Sequence, residues 1–177
     1  MDKKEIEKQA YELLKSVHYD DNEDFIDIIR IAKDMGFSVG NALLNTNDDG
    51  FLLIQHGAKE ILGIKTDKLI GVNSQRSLAW KRFIIAHEVA HYILHFPKQK
   101  TPIFAHRENR KGKNIIENDA DFFAACLLMP KEKFRKKYEE LKKMNLNEDD
   151  IITLLAKKFI VTPIMTERRI KEISTNE

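Results

Sequence analysis

Hydrophobic residues recur at helical spacing at both ends of this chain. Apolar positions three and four residues apart predict two N-terminal helices, over residues 2–17 and 24–35. Gly36 follows the second pattern and is predicted to end that helix. The same spacing predicts three further helices near the C-terminus, over residues 131–143, 148–159 and 162–173.

The pattern changes between residues 37 and 73, where apolar segments are short and separated by Asn, Asp and Gly. The segments predict four strands, at 37–45, 50–55, 59–65 and 68–73. Asn47-Asp48-Asp49-Gly50 is a strong turn signal between the first two. Because strands joined so tightly pair as antiparallel neighbours, we expect a small, mostly antiparallel sheet.

Two strongly apolar helices are predicted after the sheet, over residues 77–95 and 114–129, with Ser77 in position to cap the first. Residues 97–113 between them are polar and basic, show no apolar rhythm, and are predicted to form a loop. These elements together predict an α+β fold. We expect a main domain over residues 1–130 and a C-terminal helical lobe over residues 131–177.

The composition of the chain indicates the cellular compartment in which the protein is expected. No apolar run approaches the roughly 20 residues that span a bilayer, and the charged N-terminus lacks the apolar core of a signal peptide. The single cysteine, Cys126, cannot form an intrachain disulfide. We therefore expect a cytoplasmic protein without a membrane partner.

The formal net charge is only +2, but it is unevenly distributed. Residues 1–50 are acidic, whereas residues 96–145 are basic. A solvated helical surface accounts for the basic stretch, because its lysines alternate with apolar positions in a helical rhythm. The alternative is a docking face for an acidic partner or nucleic acid.

His87, Glu88 and His91 form an H-E-x-x-H motif in the first apolar helix. Residues four apart on a helix share a face, so His87 and His91 can both offer ring nitrogens to one zinc ion. Glu88 can reach a water on that ion and act as general base. Polar side chains in so apolar a helix need partners, which favours a metal site over a hydrogen-bonded pair of core histidines.

A third zinc ligand is expected from the second apolar helix, which carries Glu117, Asp119 and Asp121. Glu117 and Asp121 share a face, whereas Asp119 points away from it. We prefer Glu117 as the ligand, because Asp121 can then accept a hydrogen bond from the outer nitrogen of a ligand histidine. Asp119 is the competing ligand, and negative charge at a helix N-terminus is the alternative explanation for Glu117 and Asp119.

Three other reactive residues are given lesser roles. His95 lies about 12 Å along the helix from His87, too far to share its ion, and is expected to interact with the last carbonyls of its own helix. His106, in the predicted loop, is either an oxyanion-stabilising group or a solvent-exposed side chain. Cys126 is expected to pack in the core.

The chain resembles the ImmA/IrrE family of metallopeptidases over roughly residues 25–173. The resemblance is carried by two helical segments, RFIIAHEVAHY at 82–92 and ENDADFFAACLLMP at 117–130, with GVN at 71–73 and LAKKFIVT at 155–162. Ala90 stands where the family often has Gly, and Asp121 where it often has Asn. Either residue at position 121 accepts the same hydrogen bond.

The resemblance implies a thermolysin-like zincin core, with two helices around zinc and a small sheet alongside. It also implies an intracellular protease whose substrate is often a helix-turn-helix repressor. We therefore predict a zinc endopeptidase with one Zn²⁺ per chain, in which Glu88 activates a zinc-bound water to attack a peptide bond of such a repressor. Strand 68–73 is expected to pair with an extended substrate, with Asn73 near the cleft as a substrate-binding residue.

Two other functions fit the same residues. One is a regulatory module that holds a repressor in the same cleft without cutting it. The other is a DNA-binding regulator, because residues 151–173 resemble a helix-turn-helix with Arg168, Arg169 and Lys171 on the second helix. The start of that helix offers poor groove contacts, so direct nucleic-acid binding is disfavoured and the lobe is expected to grip the substrate protein.

Overall fold

The computed structural model describes residues 1–19, 25–96, 103–108 and 115–174, and only the backbone of residues 103–108. In these residues the helices are α1 (Lys3–Ser16), α2 (Ile28–Asp34), α3 (Leu78–Leu94), α4 (Ile115–Leu128), α5 (Lys131–Lys142), α6 (Glu148–Phe159) and α7 (Pro163–Ser174). The strands are β1 (Ser38–Ala42), β2 (Asp48–Ile61), β3 (Ile64–Asn73) and β4 (Ile103–Glu108). The predicted α+β class is confirmed. None of the described helices is long and apolar enough to cross a lipid bilayer.

Local signals account for the ends of several helices. Ser77 caps α3 as predicted, since its hydroxyl accepts a hydrogen bond from the Trp80 amide at 3.3 Å. Gly36 ends α2 in the left-handed region at φ +85°, a conformation that costs glycine little. The helix predicted from residue 24 begins only at Ile28, after an Asp27 cap; residue 24 lies outside the described part of the chain.

The sheet departs from the prediction in its topology. Its strand order is β1-β3-β2-β4, with β1 and β3 parallel and the other two pairs antiparallel. The predicted strand at 59–65 is wrong, because Leu62 and Gly63 form the turn of a long β2–β3 hairpin, both at positive φ. That hairpin inserts β3 between β1 and β2, so neighbours in sequence are not all neighbours in the sheet.

The fourth strand lies inside the predicted loop. β4 pairs with β2 through Phe51 opposite His106 and Leu53 opposite Phe104, so His106 is on a strand and not in a loop. A segment without a clear local pattern can form a strand when pairing with a neighbour supplies its hydrogen bonds. The remainder of the predicted loop, at 97–102 and 109–113, lies outside the described residues.

Helix α3 packs closely against the sheet. A side chain at Gly50 of β2 would place its Cβ atom 2.5 Å from Cγ2 of Ile84, so only glycine permits this approach. Ile84, Leu52 and Ile70 are fully buried in the main core. The H-E-x-x-H motif therefore lies on a helix that packs closely against the sheet.

The C-terminal helices share this core. One cluster of buried residues runs from Ile6 to Ile173 and includes Phe134 of α5 and Phe159 of α6. The predicted boundary at residue 130 thus crosses a continuous core in the described residues. The division into two domains stays a prediction.

Arg169 of α7 ties this lobe to the rest of the chain. It is 1% exposed, its Nε donates to the Met129 carbonyl at 3.1 Å, and its Nη2 lies 2.7 Å from Glu7 of α1. The role considered for Arg169 as a DNA contact is therefore wrong, because its guanidinium faces the interior. A buried charge of this kind needs such partners to be tolerated.

Arg82 makes a second link between core and lobe. Its Nη2 donates to the Ile26 carbonyl at 2.7 Å and its Nε to the Ile160 carbonyl at 3.2 Å. Ile160 lies in the turn between α6 and α7 with φ +51°, a conformation uncommon for a β-branched residue. The turn of the helix-turn-helix-like segment is thus fastened to α3.

Candidate metal centre

Helix α3 places the two histidines of the H-E-x-x-H motif on one buried face. His87 is 0% exposed and His91 is 6% exposed, and their Nε2 atoms lie 2.8 Å apart. The four-residue spacing alone produces this convergence. Glu88 follows His87 directly and is 1% exposed.

Helix α4 brings a carboxylate to the same point. Glu117 Oε2 lies 3.1 Å from His87 Nε2, and Glu117 Oε1 lies 3.3 Å from His91 Nε2. One ligand atom from each of these three residues lies within 4.8 Å of the other two. The structure therefore assembles the His₂Glu set that the sequence favoured.

The chemistry of this donor set fits a zinc ion. Two imidazole nitrogens that face each other at 2.8 Å cannot both present lone pairs without repulsion. A cation held by both nitrogens would relieve that repulsion, as a shared proton would, and the Glu117 carboxylate would be its third ligand. Two histidines and one glutamate, with a further position left open, form a common zinc site in hydrolytic enzymes.

Asp121 supports the site from the other side of the His87 ring. Its Oδ1 lies 2.8 Å from His87 Nδ1, one helical turn beyond Glu117. With Nδ1–H donating to this carboxylate, His87 Nε2 keeps its lone pair for a metal. This contact is the outer hydrogen bond predicted for Asp121.

Asp119, the competing ligand, does not join the cluster. Its Oδ2 lies 2.8 Å from the amino nitrogen of Met1. The helical phase explains the difference, because a residue two positions from Glu117 points to another side of α4.

The protonation states of the cluster also suit a cation. Close contact with His87, and then with His91, holds the pKa of Glu117 far below its ordinary value. Burial, more than any other cause, lowers the pKa of His91. Near neutral pH the carboxylate is therefore charged and His91 is neutral, the forms that bind metals.

His95 lies at the C-terminal end of α3 and has a different partner from the one expected. Its Nε2 donates to the Ile116 carbonyl at 3.2 Å, which connects the end of α3 to the start of α4. The predicted contact with carbonyls of its own helix is wrong for the ring. The reason is that α4 begins beside this helix end, which brings the Ile116 carbonyl within reach of the His95 ring.

Asn73 is fully buried at the end of β3. Its side-chain nitrogen donates to the carbonyls of Asn45 and Asp48 at 3.1 and 2.8 Å, and its oxygen accepts from the Gln75 amide. The expected strand addition on β3 is wrong, because β3 is paired on both sides. The amide of Asn73 shapes the turn before β2, so its assignment as a substrate contact has no geometric support.

Cys126 is buried, as expected for a packing residue. Its thiol accepts a hydrogen bond from Arg169 at 3.3 Å, and burial raises its pKa to about 12. The arginine contact was not evident from the sequence, since 43 positions separate the two residues. No local pattern could have revealed it.

Comparison with known protein families also indicates a metallopeptidase. Residues 32–171 match the family described as peptidase M78, IrrE N-terminal-like domain. The chain belongs to this ImmA/IrrE family of metallopeptidases. Within the family match lie all of the motif residues in α3 and α4. No curated protein matches the chain significantly.

Membership of this family supports a general function, that of a metallopeptidase. A metallopeptidase acts on a peptide bond, so a protein substrate is implied, and zinc is the metal of this type of peptidase. The possible metal-binding group at His87, His91 and Glu117 is consistent with that chemistry.

Proposed function

We propose that this ImmA/IrrE family member is a cytoplasmic zinc endopeptidase that cleaves a helix-turn-helix transcriptional repressor. The observation that carries the proposal is the convergence of His87, His91 and Glu117 beside a buried Glu88. The repressor as substrate follows from the family resemblance and from no contact in the structure. We also propose that the two helices and sheet form a thermolysin-like core.

His87, His91 and Glu117 would hold the zinc ion, with Asp121 orienting His87. When bound, zinc would polarise the scissile carbonyl and acidify a water molecule. Glu88 accepts a proton from the attacking water as the new carbon–oxygen bond forms. It then donates that proton to the amine nitrogen as the carbon–nitrogen bond breaks. Glu88 is 1% exposed, so little solvent competes for its carboxylate.

Because β3 is already paired on both sides, an extended substrate would pair instead with a strand at an edge of the sheet. Among the described strands, β1 and β4 lie at the edges of the sheet. Backbone groups on such an edge can add a substrate strand, with the side chains giving specificity.

The metal set is tested by zinc analysis of the purified wild-type protein beside three variants. We expect about one zinc per chain in the wild type, loss in His91→Ala and Glu117→Ala, and retention in Asp119→Ala. Zinc retained in Glu117→Ala and lost in Asp119→Ala would show that Asp119, and not Glu117, is the third zinc ligand.

The Glu88→Gln variant distinguishes the peptidase hypothesis from the hypothesis of a module that binds a repressor without cutting it. The variant keeps the shape of the side chain but cannot take up the proton. We expect it to bind zinc and substrate normally while cleavage falls by at least about 100-fold. Wild-type zinc protein that binds a repressor without cutting it would favour the non-cleaving module instead.

A further inference from the structure

A third histidine continues the row that His87 and His91 form on α3. His95 follows one turn later, on the same side of the helix. Its ring atom Nε2 lies 3.2 Å from the carbonyl oxygen of Ile116, in the first turn of α4. Because a carbonyl oxygen can only accept a hydrogen bond, Nε2 carries the ring proton. The imidazole of His95 therefore binds the backbone of α4.

His95 is also attached to the metal-binding part of α3. Its backbone amide donates to the carbonyl of His91 at 3.0 Å, and the centroids of the two imidazole rings lie 5.4 Å apart. Its contact on the other helix, Ile116, directly precedes Glu117. His95 therefore joins the backbone of one candidate ligand to the backbone next to another.

The carboxylate of Glu117 depends on backbone contacts for its position. Its side chain is 42% exposed, so packing surrounds only part of it. Glu117 also lies in the first turn of α4, and the ends of helices fray. A displacement of this turn would carry the carboxylate away from the Nε2 atoms of His87 and His91, which lie 3.1 and 3.3 Å from its oxygens.

Two contacts with α3 lie on either side of Glu117 along α4. Asp121 accepts the hydrogen bond from His87 Nδ1 at 2.8 Å, one turn after Glu117. His95 provides the other contact, one residue before Glu117. A single contact at Asp121 would leave the start of α4 free to pivot about that point, whereas two contacts fix both the position and the direction of the turn.

We propose that His95 is a positioning residue of the metal centre, which holds the first turn of α4 so that the Glu117 carboxylate meets His87 and His91. The inference rests on the proposed zinc peptidase and adds a residue that is neither a ligand nor part of the H-E-x-x-H motif. His95 acts through Glu117, by way of the Ile116 carbonyl.

Two substitutions of His95 that differ in hydrogen bonding test the proposal. His95→Gln keeps an N–H donor near the place of Nε2, whereas His95→Phe keeps a ring and loses the donor. The control is His56→Phe, which makes the same change at an exposed histidine of β2. Chelator competition measures the zinc affinity of each protein. We expect His95→Phe to bind zinc about tenfold more weakly than the wild type, and the other two variants to stay within about threefold of it.

Zinc affinity distinguishes positioning from a general effect on stability. While nearly all molecules stay folded, a loss of stability does not change the fraction of molecules able to bind zinc, and the apparent affinity is unaffected. Wild-type affinity in His95→Phe would overturn the proposal. An equal loss of affinity in His95→Phe and His95→Gln would also overturn it, because the donor would then not be the group that matters.

A measurement without metal separates this inference from the peptidase itself. The amides of residues 119–121 are the first in α4 with partners inside the helix, because helical hydrogen bonds span four positions. In zinc-free protein, His95→Phe should accelerate hydrogen exchange at these amides about fivefold, and His95→Gln and His56→Phe should not. Unchanged exchange in His95→Phe would refute the role of His95 and leave the peptidase standing. Accelerated exchange in a chain whose wild type binds no zinc would refute the zinc peptidase, while confirming that His95 holds the first turn of α4.

Discussion

Asp121 determines which nitrogen of His87 carries the proton. Its carboxylate accepts from Nδ1 at 2.8 Å and thereby leaves Nε2 to face Glu117 and His91. Removal of such an outer partner typically weakens metal binding by a factor of 10 to 100. We expect Asp121→Ala to lose about this much zinc affinity, and Asp121→Asn to lose less because its amide oxygen still accepts.

Chelator competition measures these affinities, with Asp119→Ala as the matched loss of a carboxylate on the same helix. Asp119 pairs with the amino group of Met1 and should leave zinc affinity within about threefold of wild type. An effect at Asp119 equal to that at Asp121 would contradict the assigned hydrogen bond.

Cys126 should be chemically inert in the folded protein. Burial raises its pKa to about 12, so almost no thiolate exists at pH 8, and the side chain is 3% exposed. We expect iodoacetamide to leave native Cys126 unmodified between pH 7 and pH 9 and to label it fully in guanidinium chloride. Mass spectrometry measures the extent of labelling in the native and the denatured protein. Rapid labelling of the native chain would show that iodoacetamide reaches the thiol and would contradict this prediction.

Residues joined by helical spacing were predictable, and those joined by distant contacts were not. His87 with His91, and Glu117 with Asp121, are each four apart, so one-dimensional spacing already indicates their shared faces. Arg169 has partners 40 and 162 positions away, at Met129 and Glu7. Its sequence neighbourhood resembles a surface helix, and only folding reveals that the guanidinium is buried.

At the scale of elements, the helices were predicted closely and the strands less so. Helix α6 has the predicted bounds, because capping residues and apolar spacing are encoded within the segment itself. The sequence predicts a loop in place of strand β4, since the hydrogen bonds of this strand come from β2, which precedes it by more than 40 residues. The parallel pairing of β1 with β3 has the same cause, for it depends on where a long hairpin inserts.

The contact between α7 and α1 gives a stability prediction for a helix pair. Arg169→Ala removes the donor to the Met129 carbonyl and the charged partner of Glu7, and hydrogen bonds to charged groups contribute about 1.5–3 kcal/mol. Denaturant unfolding of the zinc-free protein should show a loss of about this size. Lys171→Ala removes a largely exposed pair with Glu167 and should change the unfolding free energy by less than about 1 kcal/mol.

A double-mutant cycle isolates the pair itself. Glu7→Ala is expected to be less harmful in the Arg169→Ala background than in the wild type, because its partner is already gone. Additive losses would show that Arg169 stabilises the chain without Glu7.

At the scale of the whole molecule, the continuous core predicts that the peptidase segment does not fold alone. Phe134 and Phe159 are buried against the same cluster as the α3 residues, so a fragment of residues 1–130 would expose part of its interior. We expect this fragment to lack a cooperative thermal transition and to bind zinc weakly. A fragment with a sharp transition and wild-type zinc affinity would instead establish 1–130 as an independent domain.

Acid should release the metal from the intact chain. Protons compete with zinc for Glu117 and His91, and both pKa values lie below their ordinary ones. The lowered values mean that both ligands stay deprotonated to more acidic pH than free side chains would. We expect zinc to be retained at about pH 6 and lost toward pH 4, measured as metal content after dialysis. Release already complete at pH 6 would contradict the shifts.

Arg169 also bears on how such a chain can be inherited. Its guanidinium joins α1, the end of α4 and α7, at sites up to 162 positions apart. A recombination event that exchanged only the segment with α5, α6 and α7 would place this arginine beside unmatched residues and disturb α4. We therefore expect Glu7 and Arg169 to change together among descendants of this gene, and the catalytic and C-terminal segments to travel as a single heritable unit.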